Sequence, residues 1–264
     1  MSDDVVEKIK RGDTEGFNLW RENYDSLTFS QHKDIVDCWN SRSVLERSVH
    51  TSFFTWAFKQ LAGAGVDLGK RRIAELGPAD GWLAFNCLSK LEFKSWIGYD
   101  ISRIMVERTL PEVKGLGFVN TELNEQFWES SVEEFDIFVS SHTIEHLSDN
   151  HFKELLKFIS PRTEAIILEI CVKGNRADWK DYGGSHILTL NSSDIDIMIR
   201  DRGFASVGGR YMGWLRHPVT GLHTLKDAGF KRIGSWMNHF VGVYIKKAKK
   251  DKLDQKIYKN KGGK

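Results

Sequence analysis

The chain has 264 residues, 41% of them hydrophobic, enough for one domain of ordinary size plus an extension. No stretch approaches the roughly 20 apolar residues of a membrane-spanning helix, and the acidic opening Met1-Ser2-Asp3-Asp4 is no secretory signal. The net charge of +2 is uneven: from Lys246 onward nine lysines and two aspartates carry +7, which leaves −5 on the rest.

A mildly acidic body argues against a nucleic-acid enzyme, which usually shows a basic face as well. The Lys-rich end, 248–264, reads as a solvated, frayed tail. Residues 1–70 read as an N-terminal helical cap, and these helices offer a surface for self-association into a homo-oligomer. Leu45, Val49, Phe53 and Trp56 recur at helical spacing, with Phe54 and Phe58 widening the face, and the helix should stop near Gly63 and Gly65. Most aromatics of the cap read as core; Trp20 and Tyr24, outside a clear period, are candidates for a pocket wall.

From residue 71 the pattern changes. Residues 71–76 form a first strand, 81–91 a helix and 95–100 a second strand. Ile104, Met105 and Arg108 lie in a short helix closed by Pro111, and 117–120 form a brief third strand. Phe135 to Ser140 is a fourth strand, Asn150 to Ser160 a helix stopped by Pro161, and Ala165 to Cys171 a continuous apolar run expected at the centre of a sheet. Ser193 to Arg202 is a further helix ending at Gly203. Ala205 to Leu215 competes with Arg232 to Trp236 and Phe240 to Lys246 for the last strands; the latter two look like a closing antiparallel pair, which would make 205–228 a substrate-side insertion. Strands alternating with helices in this way predict an α/β fold, a doubly wound, mostly parallel sheet with helices on both sides.

Chemistry concentrates at Ile73-Ala74-Glu75-Leu76-Gly77-Pro78-Ala79-Asp80-Gly81. A buried strand breaks at a glycine and a helix restarts at another. Gly77 permits a tight turn close to a ligand, and Gly81 lets the helix start pack closely. The spacing Glu-x-Gly-x-x-x-Gly differs from the pyrophosphate-clamping spacing of dinucleotide loops. A second acid, Asp100, closes the next strand 23 residues past Gly77, near the roughly 20-residue offset at which an acid reaches a ribose hydroxyl. Asp80 reads equally as a cap for the following helix, and Asp136 as structural. Ligands of open α/β sheets sit beyond the carboxyl ends of the strands. Gly77, Pro78, Ala79, Asp80 and Gly81, then Asp100, Ile101 and Ser102, then Ser140, Ser141, His142 and Thr143 should therefore share one site.

These pieces, in this order, resemble the class I S-adenosylmethionine-dependent methyltransferases. Glu75 to Gly81 is similar to their first motif, Asp100 to their second, and Phe135 to Leu147 to their fourth-strand motif. The resemblance covers about 71–247 and departs from the family in the loop, where Pro78 and Ala79 replace the residues often found there. It implies the seven-stranded methyltransferase fold, S-adenosyl-L-methionine as cofactor, Glu75 at or near its methionine amino group, and Thr121, Glu122 and Leu123 beside the adenine.

For a hydroxyl acceptor a base is expected. His146 is the preferred candidate, His142 shares its position at the mouth of the site, and His186, after the glycine-rich loop beyond the fifth strand, is the alternative. If the turn is helical, His142 and His146 share a face. No zinc spacing of Cys and His is present, and no metal is expected. Cys38, Cys87 and Cys171 read as reduced core residues of a cytoplasmic protein. The substrate expected is a small molecule methylated on oxygen, such as a sugar or secondary metabolite. An RNA methyltransferase is the alternative, on the Asp80-Gly81-Trp82 run with Phe85 and on the basic tail.

Overall fold

The computed structural model describes residues 44–123, 134–171, 188–216, 223–227 and 239–248. Trp20, Tyr24, Cys38, His186, the 232–236 segment and the Lys-rich tail lie outside them.

The first described helix, α1 (Val44–Gly63), is followed by β1 (Arg72–Leu76), α2 (Trp82–Leu88), β2 (Ser95–Asp100), α3 (Arg103–Glu107), α4 (Pro111–Gly115) and β3 (Phe118–Glu122). Then come β4 (Ile137–Ser141), α5 (Asp149–Ile159), β5 (Ala165–Cys171), α6 (Ser192–Asp201), β6 (Phe204–Arg216), β7 (His223–Asp227) and β8 (His239–Lys246). Pro111 closes no helix but opens one, α4, at a first-turn position where its missing N–H costs nothing. Helix α6 starts where it does because Asn191 and Asp194 form a reciprocal capping box. Helix α5 starts at Ser148, whose hydroxyl accepts the His151 N–H.

The strands make one eight-stranded sheet in the order β3-β2-β1-β4-β5-β8-β6-β7. The first five are mutually parallel; β8 runs antiparallel to β5, β6 antiparallel to β8, and β7 antiparallel to β6. Residues 204–216 and 239–246 therefore both enter the sheet, and β8 lies between β5 and β6. Seven strands form the core order, and β7 adds an eighth at the edge. Strand β8 starts at His239, level with Cys171 of β5 and Met212 of β6. Strand β6 continues beyond that level to Arg216, paired with β7. Four further residues at about 3.3 Å each carry this hairpin roughly 13 Å past the carboxyl ends of the parallel strands.

Each face of the sheet carries its own core. On one, Phe54, Phe58 and Leu61 of α1 pack with Ile73, Trp96, Ile137, Ile167 and Val243. On the other, Phe152, Leu155 and Ile159 of α5 and Ile195 and Ile199 of α6 pack with Ala74, Phe138, Ile166 and Tyr244. The described aromatics Phe53, Phe54 and Phe58 are thus core side chains. Cys87 is a buried free thiol whose ionisation burial opposes. Asp136 is structural: it accepts hydrogen bonds from the backbone N–H and the guanidinium of Arg72, tying the start of β4 to β1. Burial pushes its carboxyl up, but Arg72 outweighs this and holds it below the usual range.

Candidate functional site

The order of strands reverses between β1 and β4. The chain leaves β1 toward β2 and β3 and returns to β4 on the other side of β1, which opens a crevice beyond their carboxyl ends. Among the described residues two loops border it: the glycine loop after β1 and the exit turn after β4.

Gly77 is in the left-handed region at φ +70°, and a Cβ there would lie 2.0 Å from the Thr143 Oγ1. The position therefore admits only glycine, both for its backbone and for the side chain above it. Gly81, at φ +89°, starts α2, and a Cβ on it would meet Val113 Cγ1 at 2.9 Å. Between them Ala79 is also left-handed, at φ +51°, a conformation that costs a residue bearing a Cβ roughly 1–2 kcal/mol. Two side chains hold it there. The Asp100 Oδ2 accepts the Ala79 N–H at 2.9 Å, and the Asn120 Nδ2 donates to the Ala79 carbonyl at 3.0 Å.

Asp100 thus bridges the ends of β1 and β2. Its Oδ1 accepts the Ser102 N–H at 2.8 Å, so it also caps the turn that follows. Glu122 stands opposite Asp100 in the β2–β3 register, and the Leu123 N–H donates to the Asp100 carbonyl at 2.6 Å. The expected adenine-side residues therefore adjoin the expected sugar-side acid. Ile101 and Ser102 are buried beside them. Asp80 accepts the Trp82 N–H at 3.2 Å, just before the Gly81 N-cap of α2.

Glu75 points down into the core beneath the loop. It is fully buried, and its Oε2 accepts the Trp96 indole N–H at 2.8 Å. Burial, helped by the charges of Asp100 and Asp80 and opposed by the Trp96 bond, pushes its carboxyl up to about 8. This bond ties Glu75 of β1 to Trp96 of β2.

At the end of β4, the Ser140 hydroxyl donates to the Leu76 carbonyl at 3.2 Å and the Ser141 hydroxyl to Glu169 Oε2 at 2.7 Å. His142 is left-handed, at φ +52°, and only Ile144–His146 form a single 3₁₀ turn. His142 and His146 therefore do not lie on one helical face, because the backbone turns before the helix-like hydrogen bonds begin. Glu145 and Glu169 are completely buried around the His142 ring. Among the described residues no group of His, Cys, Asp and Glu is arranged to hold a metal ion, and no helix is long and apolar enough to cross a membrane.

Sequence reasoning missed three residues. Glu169 sits in the run Ala165–Cys171, read as apolar; a lone acid inside a central strand was the available signal. Trp96 lies two positions off Glu75 in the β1–β2 register, which only the pairing reveals. Asn120 carried no signal in its spacing.

The donor set fits a nucleoside cofactor. A carboxylate has roughly four acceptor positions, so a sugar diol can share Asp100 with the two amides it already holds. The absence of a side chain at Gly77 lets Thr143 close over the loop.

A methyltransferase-domain family model matches residues 53–206, more than half of the chain. No curated protein sequence matches. Among solved structures the chain is similar to magnesium protoporphyrin IX methyltransferase from Synechocystis PCC 6803 with bound S-adenosylhomocysteine, at 12% identity and a TM-score of 0.58, covering 86% of this chain and 97% of that one. It is also similar to an S-adenosylmethionine-dependent methyltransferase from Archaeoglobus fulgidus (16% identity, TM-score 0.54, 76% and 94% covered). A third, the N-terminal domain of EvdMO1 in the presence of S-adenosylhomocysteine and D-fucose, shares 15% identity at a TM-score of 0.50, with 76% and 83% covered. The chain belongs to the methyltransferase-domain family of class I S-adenosylmethionine-dependent methyltransferases. It is an enzyme, and its cofactor is S-adenosyl-L-methionine.

Proposed function

We propose that the chain methylates a hydroxyl oxygen of a small molecule, a sugar or secondary metabolite, with His146 as the base and Gly77 to Gly81, Asp100 to Ser102, Glu122, Leu123 and Ser140 to His142 around the cofactor. The observation that carries this reading is the charge of the strand ends. Among the described residues Asp80, Asp100, Glu122, Glu145 and Glu169 gather there, and the neighbouring cation Arg103 pairs instead with Glu107 on the exposed side of α3. An edge of that sign suits a neutral or cationic acceptor and repels a phosphate backbone.

The cofactor supplies an activated methyl group, which the acceptor oxygen takes by in-line displacement. The protein's share is placement and one proton. His146 is half-buried at the end of the short turn that follows β4, with its N–H bonded to the Thr143 carbonyl at 3.0 Å. A base there contributes roughly 10²–10⁴-fold by accepting the hydroxyl proton. Glu75, Asp100 and Asn120 hold the loop rigid, so orientation is set before the acceptor arrives.

Mass spectrometry tests the reading. The protein is incubated with S-adenosylmethionine and, separately, with pooled small hydroxylated metabolites and with total tRNA. A gain of about 14 Da, one methyl replacing one hydrogen, is expected in the metabolite pool. A gain confined to tRNA would replace this reading with the RNA one.

A further inference from the structure

We propose that His142, Glu145 and Glu169 form a buried clamp that positions the cofactor loop through Thr143, and that His142 is a positioning residue rather than a proton acceptor. The inference rests on the cofactor alone and goes beyond the choice of acceptor.

The clamp begins on β5. Glu169 is 0% exposed, and it holds the β4 exit by two hydrogen bonds and one longer approach. Its Oε2 accepts the Ser141 hydroxyl, its carbonyl accepts the His142 N–H at 3.0 Å, and its Oε1 lies 3.5 Å from His142 Nε2. Glu145, also 0% exposed, places Oε1 3.3 Å from His142 Nδ1. Each ring nitrogen therefore faces a buried carboxylate oxygen, Nδ1 within hydrogen-bonding distance and Nε2, shut off from solvent, at the looser 3.5 Å. A ring held this way has no nitrogen turned toward an incoming hydroxyl.

The backbone explains what the clamp achieves. His142 adopts φ +52°, which a residue with a Cβ leaves unless its surroundings over-determine it. The contacts to Glu145 and Glu169 supply that. With His142 fixed, Thr143 follows: its hydroxyl returns to the Ser141 carbonyl at 3.1 Å. Its side chain then occupies the space where a Cβ on Gly77 would stand. The position of Thr143 thus sets how the cofactor loop lies, and a buried acid on β5 reaches the loop after β1 through two residues of β4's exit turn.

The test is calorimetric titration of the full chain with S-adenosylmethionine, with thermal unfolding in parallel. Glu169→Gln and His142→Gly are expected to weaken binding roughly tenfold or more, as contacting networks couple. His142→Gly is the sharper of the two, because glycine removes the backbone strain along with the ring; weaker binding then traces to the lost clamp. His142→Asn, which tolerates the left-handed backbone and retains a side-chain donor, is expected to recover part of the affinity. Thr143→Ala leaves the buried charges intact and is expected to weaken binding as well, so the test survives a variant that fails to fold. Wild-type affinity in Thr143→Ala, or in folded Glu169→Gln and His142→Gly, would overturn the proposal. So would methyl transfer lost in His142→Gly with cofactor affinity unchanged, since that is the signature of a base.

Discussion

The two loops that border the crevice solve one problem by different means. Each carries a non-glycine residue in left-handed backbone, Ala79 at φ +51° and His142 at φ +52°. The glycine loop is held by small residues and by side-chain bonds to its own amide and carbonyl, from Asp100 and Asn120. The β4 exit is held by buried charges on β5 and on its own turn. Backbone freedom is written in local sequence, whereas a buried charge cluster depends on which strands become neighbours.

The comparison breaks most visibly at Gly77. Gly77→Val should destabilise the protein by roughly 3 kcal/mol or more in urea unfolding, because a left-handed β-branched residue adds to a collision with Thr143. An unchanged midpoint would mean that Thr143 does not stand over the loop. Asp100→Ala comes next. It leaves the Ala79 and Ser102 amides without their acceptor and removes the carboxylate from the sugar end. Affinity for S-adenosylmethionine should fall roughly a hundredfold or more in calorimetry, as charged hydrogen bonds of about 1.5–3 kcal/mol each are lost.

Glu75 gives a smaller, pH-dependent effect. Its carboxyl holds a proton to about 8 in the fold, against an ordinary value of 4.5. The folded state binds more protons across that window, so its contribution to stability is complete below about pH 4.5 and is lost as pH rises toward 8. Glu75→Gln retains an acceptor for the Trp96 indole and should flatten this slope. At pH 8 it should be more stable than wild type by at most a few kcal/mol, at about 1.4 kcal/mol per pKa unit. Equal slopes for both proteins in urea titrations at pH 5 and pH 8 would show that Glu75 is ionised throughout. Ala79→Gly is the mildest change. Relief of the left-handed backbone is offset in part by a more flexible unfolded chain, and a gain of about 0.5 kcal/mol is expected. A loss in thermal unfolding would show that the Ala79 methyl packs usefully.

Strands β1, β2, β4 and β5 were legible because each is a short apolar run bounded by glycine, proline or an acid. Asp100 was legible because its distance from Gly77 is a property of the chain. The partner of β8 was not legible: 205–215 and 232–236 both read as strand, and only pairing across the sheet brings β6 beside β8. The helical face expected for His142 and His146 failed because a left-handed residue, invisible in composition, interrupts the turn.

Local pattern alone determined the α/β class, the glycine loop and the acid that closes β2, since these depend on periodicity, backbone freedom and spacing along one chain. Tertiary structure decided that Glu169 reaches His142, that Trp96 holds Glu75 and that Thr143 covers Gly77. Each of those contacts joins strands that are neighbours in the sheet but distant in sequence, and hydrogen bonds between buried groups form only after the sheet has set their register.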